Sequence, residues 1–432
     1  MKFPGQRKIK HYFPVNAGNR FDRESVAFSH VNTYVTGIDQ NLVDITARVD
    51  DELLAEFELQ KGASQLMDSE KANLLYQRLQ LNDAIEDEFA GGTIGNTLHN
   101  YSVIADDSSI LLGVMSENIV IGTSAYRYLC NTSSKVDLTH LQPVPGAIGR
   151  CFALITSDGE RTFGISPGQM NALGEDYISE AVIADASALL LCAYTLADES
   201  LPIYGATLKA AELAVKHDVP VVLTLGTRPL VEAKRETFTC FIRDYVTLVA
   251  MNEEEAEALT GHADPLLASE SVLDMADLVL LTAGPEGLYL SGYGDQSMLR
   301  KTANPIRSGA VADFNAFEFS RPLRRRDCSE PVKVFAQIDP YMGGPDKIHN
   351  TNGAGDGALA AVVHDMTANH YHCTVLPTSS KHVKPFLTYS SFAQVCKYAN
   401  RVSYQVLIQN SPRLTRGLPE REDSLEEAYW DS

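Results

Sequence analysis

Between Ala188 and Thr282 short apolar runs alternate with helical stretches, and this alternation constrains the fold more than any other feature of the chain. Ala188 to Cys192, Val219 to Leu225, Leu248 to Met251 and Leu278 to Thr282 read as buried strands, with helices over 205–217 and Glu253 to Leu259. Strands apolar on both sides and joined by helices make a mostly parallel sheet covered on both faces, an α/β architecture. Ligands of such sheets bind beyond the strand ends. Two of the runs end there in small residues, Thr224-Leu-Gly226 and Thr282-Ala-Gly284-Pro-Glu-Gly287.

The first half has a different period. Tyr34 to Ile38 reads as a short strand and Asp39 to Asp44 as a loop. Ile45 to Val49 alternates like a half-buried strand, helices follow near 51–58 and 69–80, and Ala84 to Phe89 reads as an edge strand. A helix over Thr97 to Ala105 and a strand over Ile110 to Val114 come next. Cys151 to Thr156 and Arg161 to Ile165, joined by Asp158-Gly159, form a hairpin. The alternating segments do not suit a sheet buried on both faces, so they predict a small β-rich lid over about 45–92 and 150–168. Residues 1–30 read as an N-terminal arm and 411–432 as a C-terminal tail. The stretches 286–349 and 369–384 lack a strong period and read as insertions.

Composition narrows the function classes. The 432 residues carry 36 basic and 56 acidic side chains, a net charge of −20, which argues against a general nucleic-acid binder or a binder of anionic membranes. The seven cysteines are scattered without a C-x-x-C, so reduced thiols in a cytoplasmic protein are expected. No apolar run is long enough to span a bilayer. No Gly-Lys dipeptide occurs, which excludes a Walker A loop.

The chemistry concentrates in Asn350-Thr-Asn-Gly-Ala-Gly-Asp356, followed by the small apolar run Ala358 to Val363. Two glycines at a helix start present unpaired N–H groups and the positive end of the helix dipole, a place for phosphate. A carboxylate there would repel phosphate unless it takes a proton from an attacking hydroxyl. An anion cradle of Gly353, Ala354 and Gly355 with Asp356 as base is a phosphotransferase arrangement. Upstream, Gly91-Gly92-Thr-Ile-Gly-Asn96 lets backbone approach a ligand and offers an amide to hydroxyls. Asp39 and Asp44 are carboxylates that could chelate a diol. Asn252 and Glu255 sit three apart after a strand, which suits an outer-shell magnesium site and also suits a capped acidic helix.

These motifs resemble the two signatures of the ribokinase (PfkB-type) carbohydrate kinase family, G-G-x-x-x-N and D-T-x-G-A-G-D, in family order over about residues 34 to 408. The chain is identified as a member on that basis. The resemblance implies a ribokinase-like fold and ATP as phosphate donor with Mg²⁺ organised near the phosphates by the N-x-x-E residues Asn252 and Glu255 through water. One position departs: Asn350 stands where the signature has Asp, a place that in the family helps build a monovalent-cation site, so a potassium requirement stays open. The N-terminal stretch is similar to that of adenosine kinases, and by its spacing before Ala-Arg-Val-Asp50 the resemblance makes Asp44 the ribose-gripping residue, with Asp39 its competitor. It also implies sugar-side contacts from Gly92 and Asn96, ATP-side contacts from Thr224, Thr282, Gly284 and Gly287, an adenine contact from Asn400, and a phosphate contact from Arg161 of the lid. Arg161 reads equally well as a solvated surface residue, and a polar helix residue such as Asn400 is more often simply solvated.

Ala90 to Asn96, Asn350 to Gly357 and Ser411 to Asp423 are most similar to relatives that act on 6-oxopurine nucleosides. The expected activity is therefore ATP-dependent phosphorylation of the 5′-hydroxyl of inosine and guanosine, a purine-salvage step yielding IMP and GMP. The alternatives are an adenosine or simple-sugar kinase of the same family, or a catalytically silent nucleotide sensor on the same fold. The partners are then a purine nucleoside and ATP, not nucleic acid or membrane, with homo-oligomerisation left open.

Overall fold

The computed structural model describes residues 33–105, 107–302, 314–341, 348–349 and 351–418; the N-terminal arm, Asn350 and the acidic run beyond 418 lie outside them. From β1 (Tyr34–Ile38) the chain enters the lid through β2 (Leu42–Arg48), α1 (Asp51–Glu56), β3 (Ser64–Leu66), α2 (Ser69–Leu81) and β4 (Ile85–Ala90). It returns to the body with α3 (Thr93–Ala105), β5 (Ser108–Leu112), β6 (Val114–Ser116), α4 (Ser124–Cys130), β7 (Val136–Asp137) and β8 (Gln142–Val144), then completes the lid with β9 (Gly149–Ile155) and β10 (Arg161–Ser166). The second half runs α5 (Glu180–Ala184), β11 (Leu189–Cys192), α6 (Pro202–Lys216), β12 (Val221–Thr224), α7 (Arg228–Ala233), α8 (Arg235–Tyr245), β13 (Leu248–Asn252), α9 (Glu253–Thr260), α10 (Pro265–Val272) and β14 (Leu278–Thr282). It closes with β15 (Leu288–Asp295), β16 (Pro331–Ile338), α11 (Ala354–Val375) and α12 (Phe392–Leu407).

The central sheet has nine strands in the order β16-β15-β14-β13-β12-β11-β1-β5-β7, parallel from β14 to β7. Its strands are apolar on both faces because each side chain faces a separate core. On β11, Leu189 and Leu191 join the layer of α6, α8 and α10, whereas Leu190 joins that of α3, α11 and α12. Burying one such leucine contributes on the order of 1.5–3 kcal/mol. The long α11 is buried from Gly357 to Asn369, and its small residues let neighbours approach closely: a Cβ on Gly357 would lie 2.8 Å from Val406 of α12.

The second sheet, where a lid is expected, has five strands in the order β3-β10-β9-β2-β4, with β4 at its edge as expected. Along β2, Val43, Ile45 and Ala47 are buried while Asp44 and Thr46 on the other face are only half-buried. Capping side chains start the lid helices, with Asp50 accepting from Leu53 N–H and Asp68 from Lys71 N–H.

Several expected boundaries change. The stretch 286–349 is not simply an irregular insertion: β15 and β16 lie within it and extend the central sheet in antiparallel fashion beyond β14. Gly residues and the lack of a single polar face hid β15, whose residues are all buried. The stretch 369–384 opens as the last turns of α11, which runs to Val375. Helix α3 starts at Thr93 rather than Thr97, because Gly92 permits the turn at a φ of 92°, so Asn96 stands in the first turn. The strand β2 begins at Leu42, which puts Asp44 on the sheet rather than in a loop. The first part of the expected tail is buried, including Arg413, Leu414 and Leu418.

Candidate active site

The glycine-rich turn forms the N-terminus of the 22-residue α11. Gly353 caps it in the left-handed region at a φ of 78°, and a Cβ there would fall 2.4 Å from the Cβ of Pro412. Both backbone and packing thus require glycine at this position. Gly355 differs: no atom lies within 4 Å of where its Cβ would stand, so its exposed face is open to a ligand. The first N–H groups of a helix have no partner within it and carry the positive end of the dipole. Asp356 sits in that first turn, and its Oδ2 accepts from the Asn96 side-chain amide at 3.1 Å. Burial pushes its carboxyl up to about 7, the charges of Asp39 and Asp44 push the same way, and Asn96 and Arg413 oppose them. A carboxylate of that affinity is poised to exchange a proton near neutral pH.

Two carboxylates press on the Gly91-Gly92 pair from opposite directions. A Cβ on Gly91 would fall 2.3 Å from Asp44 Oδ2, and one on Gly92 would fall 2.3 Å from Asp39 Oδ2. The two acids have different surroundings. Asp39 is 3% exposed and accepts from the backbone N–H groups of Gly95, at 2.7 Å, and Gln40, at 2.9 Å. It joins the end of β1 to the start of α3. Asp44 is half-buried on β2, directly across from Cys151 of β9, whose thiol is hydrogen-bonded to it. Burial raises both carboxyls, Asp39 to about 7 and Asp44 to about 6.

One site residue was missed in the sequence. Arg413 enters from beyond α12 and is 2% exposed. Its Nε donates to Asn96 Oδ1 at 2.9 Å, Nη1 to Thr132 Oγ1 at 2.7 Å, and Nη2 to the Gly91 carbonyl at 3.1 Å and the Tyr128 hydroxyl at 3.3 Å. Its charge offsets Asp39, Asp44 and Asp356 together. The only sequence signal was the Ser411-Pro-Arg-Leu stretch, placed with the tail because the solvated run after it is acidic.

The other wall lies at the ends of the parallel strands. Thr224 ends β12, while Asn252 and Thr282 are paired partners ending β13 and β14. Asn252 caps α9 in a reciprocal box: its Oδ1 accepts from Glu255 N–H at 2.8 Å, and Glu255 Oε2 accepts from Asn252 N–H at 3.1 Å. Glu255 is 6% exposed. Burial raises its carboxyl to about 7, and the negative charges of Asp356, Glu253 and Glu254 push the same way. A buried carboxylate in such company suits a hydrated divalent cation. Among the described residues no group of three or more His, Cys, Asp or Glu could hold a metal ion. Gly284 and Gly287 have positive φ at 44° and 91°, and a Cβ on Gly287 would strike the Ile338 carbonyl at 2.1 Å. Gly287 therefore shapes the turn into β15.

Two expected contacts are not brought to this centre. Arg161 is exposed at the start of β10, paired with Ile155, four residues along β9 from the Cys151–Asp44 level. At about 3.3 Å per strand residue that is roughly 13 Å away. Asn400 donates from its side chain to the Asp339 carbonyl beyond β16, a bond within the protein.

The model of the pfkB family carbohydrate kinases matches residues 125–310. Guanosine-inosine kinase of Escherichia coli strain K12 is 59% identical over 433 aligned residues, covering all of both chains. The chain belongs to the PfkB family of carbohydrate kinases. Two solved structures share the fold. Adenosine kinase from Sinorhizobium meliloti superposes with a TM-score of 0.63 at 22% identity, covering 89% of this chain and 96% of its own. A probable sugar kinase from Rhizobium etli CFN 42 gives 0.64 at 19%, covering 93% and 98%. Membership implies ATP as the phosphate donor, with magnesium. No helix among the described residues is long and apolar enough to cross a membrane.

Proposed function

We infer that the protein transfers the γ-phosphoryl group of ATP to the 5′-hydroxyl of guanosine and inosine, giving the nucleoside 5′-monophosphate and ADP. The observation that carries the mechanism is Asp356 at the open glycine turn of α11, held by Asn96 from the start of α3. The full-length similarity to guanosine-inosine kinase supports the substrate.

In this reading the ribose diol lies against Asp44, with Gly92 and Asn96 completing its contacts. Asp39 serves the architecture, because its hydrogen bonds go to backbone N–H groups. Asp356 accepts the 5′-hydroxyl proton, and the freed oxygen attacks the γ-phosphorus as the bond to the β-phosphate oxygen breaks. The N–H groups of Ala354, Gly355 and Asp356 receive the developing negative charge. Magnesium neutralises phosphate charge, with Asn252 and Glu255 ordering its waters. Thr224, Thr282 and Gly284 border the nucleotide at the strand ends. Asn350 lies outside the described residues, so the potassium requirement stays open, and comparison of rates in potassium and in a bulky organic cation decides it.

The test is kcat/KM for inosine, guanosine, adenosine and 2′-deoxyinosine with ATP and magnesium. Guanosine and inosine are expected to lead. A donor aimed at a 6-oxo group is left unpaired by a 6-amino group, at a cost of about 1–3 kcal/mol, or roughly tenfold to hundredfold. Adenosine equal to inosine would overturn the substrate assignment and leave the kinase chemistry intact. Absence of ATP turnover with every nucleoside would favour a silent nucleotide sensor.

A further inference from the structure

We propose that Arg413 is a positioning residue for phosphoryl transfer, setting the orientation of the Asn96 amide and through it the place of the base Asp356. The inference rests on the reading of Asp356 as base.

An asparagine amide can be turned about its last bond, exchanging donor for acceptor. Here the choice is made by Arg413. Its Nε donates to Asn96 at 2.9 Å, and only the amide oxygen can accept that bond. The amide nitrogen must then face the other way, and it meets Asp356 at 3.1 Å. An unguided Asn96 could turn and place its oxygen against the carboxylate, which would repel it.

The guanidinium itself is held on every side. Its Nη1 reaches Thr132 Oγ1 at 2.7 Å and the Asn131 carbonyl at 3.4 Å, and its Nη2 reaches the Gly91 carbonyl and the Tyr128 hydroxyl. These and the Nε bond use the donors that a guanidinium offers. It also lies 5.0 Å from the centre of the Tyr128 ring. A Cβ on Gly95 would fall 2.8 Å from Nη2, so the third glycine of Gly91-Gly92-Thr-Ile-Gly95-Asn96 leaves room for this side chain. The segment bearing it is pinned to α3: Asn100 Nδ2 donates to the Pro412 carbonyl at 3.1 Å, Leu414 N–H donates to Asn100 Oδ1 at 2.8 Å, and the His99 ring bonds the Leu414 carbonyl at 2.9 Å. Ser133 N–H donates to His99 Nδ1, so the proton on that ring is on Nε2 and is given to Leu414. The strap is thus part of the site's frame.

The groups facing Asp356 come from five other elements: Asp39 after β1, Asp44 on β2, Glu255 on α9, Cys192 at the end of β11, and Arg413. Arg413 is the one cation in that set.

The experiment compares Arg413→Lys, Arg413→Ala, Asn96→Ala and the Arg413→Ala/Asn96→Ala double variant, with Asp356→Asn alongside. Loss of position of this kind costs about 10²-fold in kcat, with the KM for ATP little changed. Lysine keeps the charge but not the fork, so it should keep most of the thermal stability and still lose kcat. The double variant should be no slower than the worse single one, since both break the same chain of contacts. Added guanidinium ion should restore part of the Arg413→Ala rate and none of the double variant's. Near wild-type kcat in Arg413→Lys, or losses that multiply in the double variant, would overturn the proposal. An active Asp356→Asn would instead remove the reading on which it rests. Should Arg413→Ala not fold, Arg413→Lys and Asn96→Ala still decide by their kcat.

Discussion

The two walls of the active site manage negative charge in opposite ways. On the nucleoside wall, Asp39, Asp44 and Asp356 share a protein cation, Arg413, and each has a hydrogen-bond donor close by. On the proposed nucleotide wall Glu255 is buried, its hydrogen-bond partner is a neutral asparagine, and the neighbouring charges of Asp356, Glu253 and Glu254 are negative. The first wall carries its own cation. The other holds a carboxyl that a proton neutralises near pH 7 and that, in the proposed reading, magnesium would compensate. Buried charge lacking a partner is costly, so under the proposed assignment the sugar side is preorganised and the nucleotide side responds to metal.

The strongest attempt to break this comparison is Asp356→Asn. It should lower kcat by about 10²–10⁴ while leaving nucleoside binding largely intact, read by steady-state kinetics and calorimetry. In the parent, the base is protonated below its raised pKa, so kcat/KM should fall as pH drops through about 7. A profile flat from neutral to mildly acidic pH would remove Asp356 as base.

Next comes the pair Asp44→Ala and Asp39→Ala. Hydrogen bonds to a charged group contribute on the order of 1.5–3 kcal/mol, so losing one diol contact should raise the nucleoside KM roughly tenfold to hundredfold in the Asp44 variant. The Asp39 variant should chiefly lower the melting temperature. If Asp39→Ala gives the larger KM effect, the ribose role moves to Asp39.

Glu255→Gln tests the other wall, with a smaller effect. The magnesium concentration for half-maximal rate should rise several-fold, about 1 kcal/mol by the worth of one hydrogen-bonded contact. It should also change stability against pH. A carboxyl whose folded pKa is raised stabilises below its unfolded value and loses that contribution as pH rises through the folded one, here about 7. The melting temperature of the variant should therefore gain on that of the parent across that interval, and magnesium with ATP should shrink the gap. The smallest effect belongs to Arg161→Ala, which should leave kcat and both KM values unchanged, since the residue is exposed about 13 Å along the lid from Asp44.

What the sequence revealed followed from the range of each interaction. The place of Asp356 and the glycines was legible because both lie within one helical turn. The capping box of Asn252 and Glu255 is likewise local, and the parallel sheet announced itself through strands such as Leu189–Cys192 that are apolar on both faces. The distance of Arg161 from Asp44 was not legible because it depends on the registers of β10 with β9 and of β9 with β2, which no single strand encodes. Asn400 has a helical position visible from sequence, but its partner, the Asp339 carbonyl, lies 61 residues away. Arg413 was hidden for the same reason in stronger form, and β15 because its fully buried run carries Gly292 and Gly294 and shows no plain alternation.

The strap that carries Arg413 has a bearing on the order in which the enzyme can be assembled. Arg413 meets Asn96 across 317 positions and Gly91 across 322. A contact this distant is formed only after the intervening chain has been brought to its place, and the entropy of closing such a loop is lost before the bonds return it. On the ribosome the lid, the glycine pair and the Gly353 to Asp356 turn are all made before the strap is. A growing chain can therefore hold both signatures and still lack the clamp on Asn96, so its competence for phosphoryl transfer should appear late and together, as the strap docks on α3.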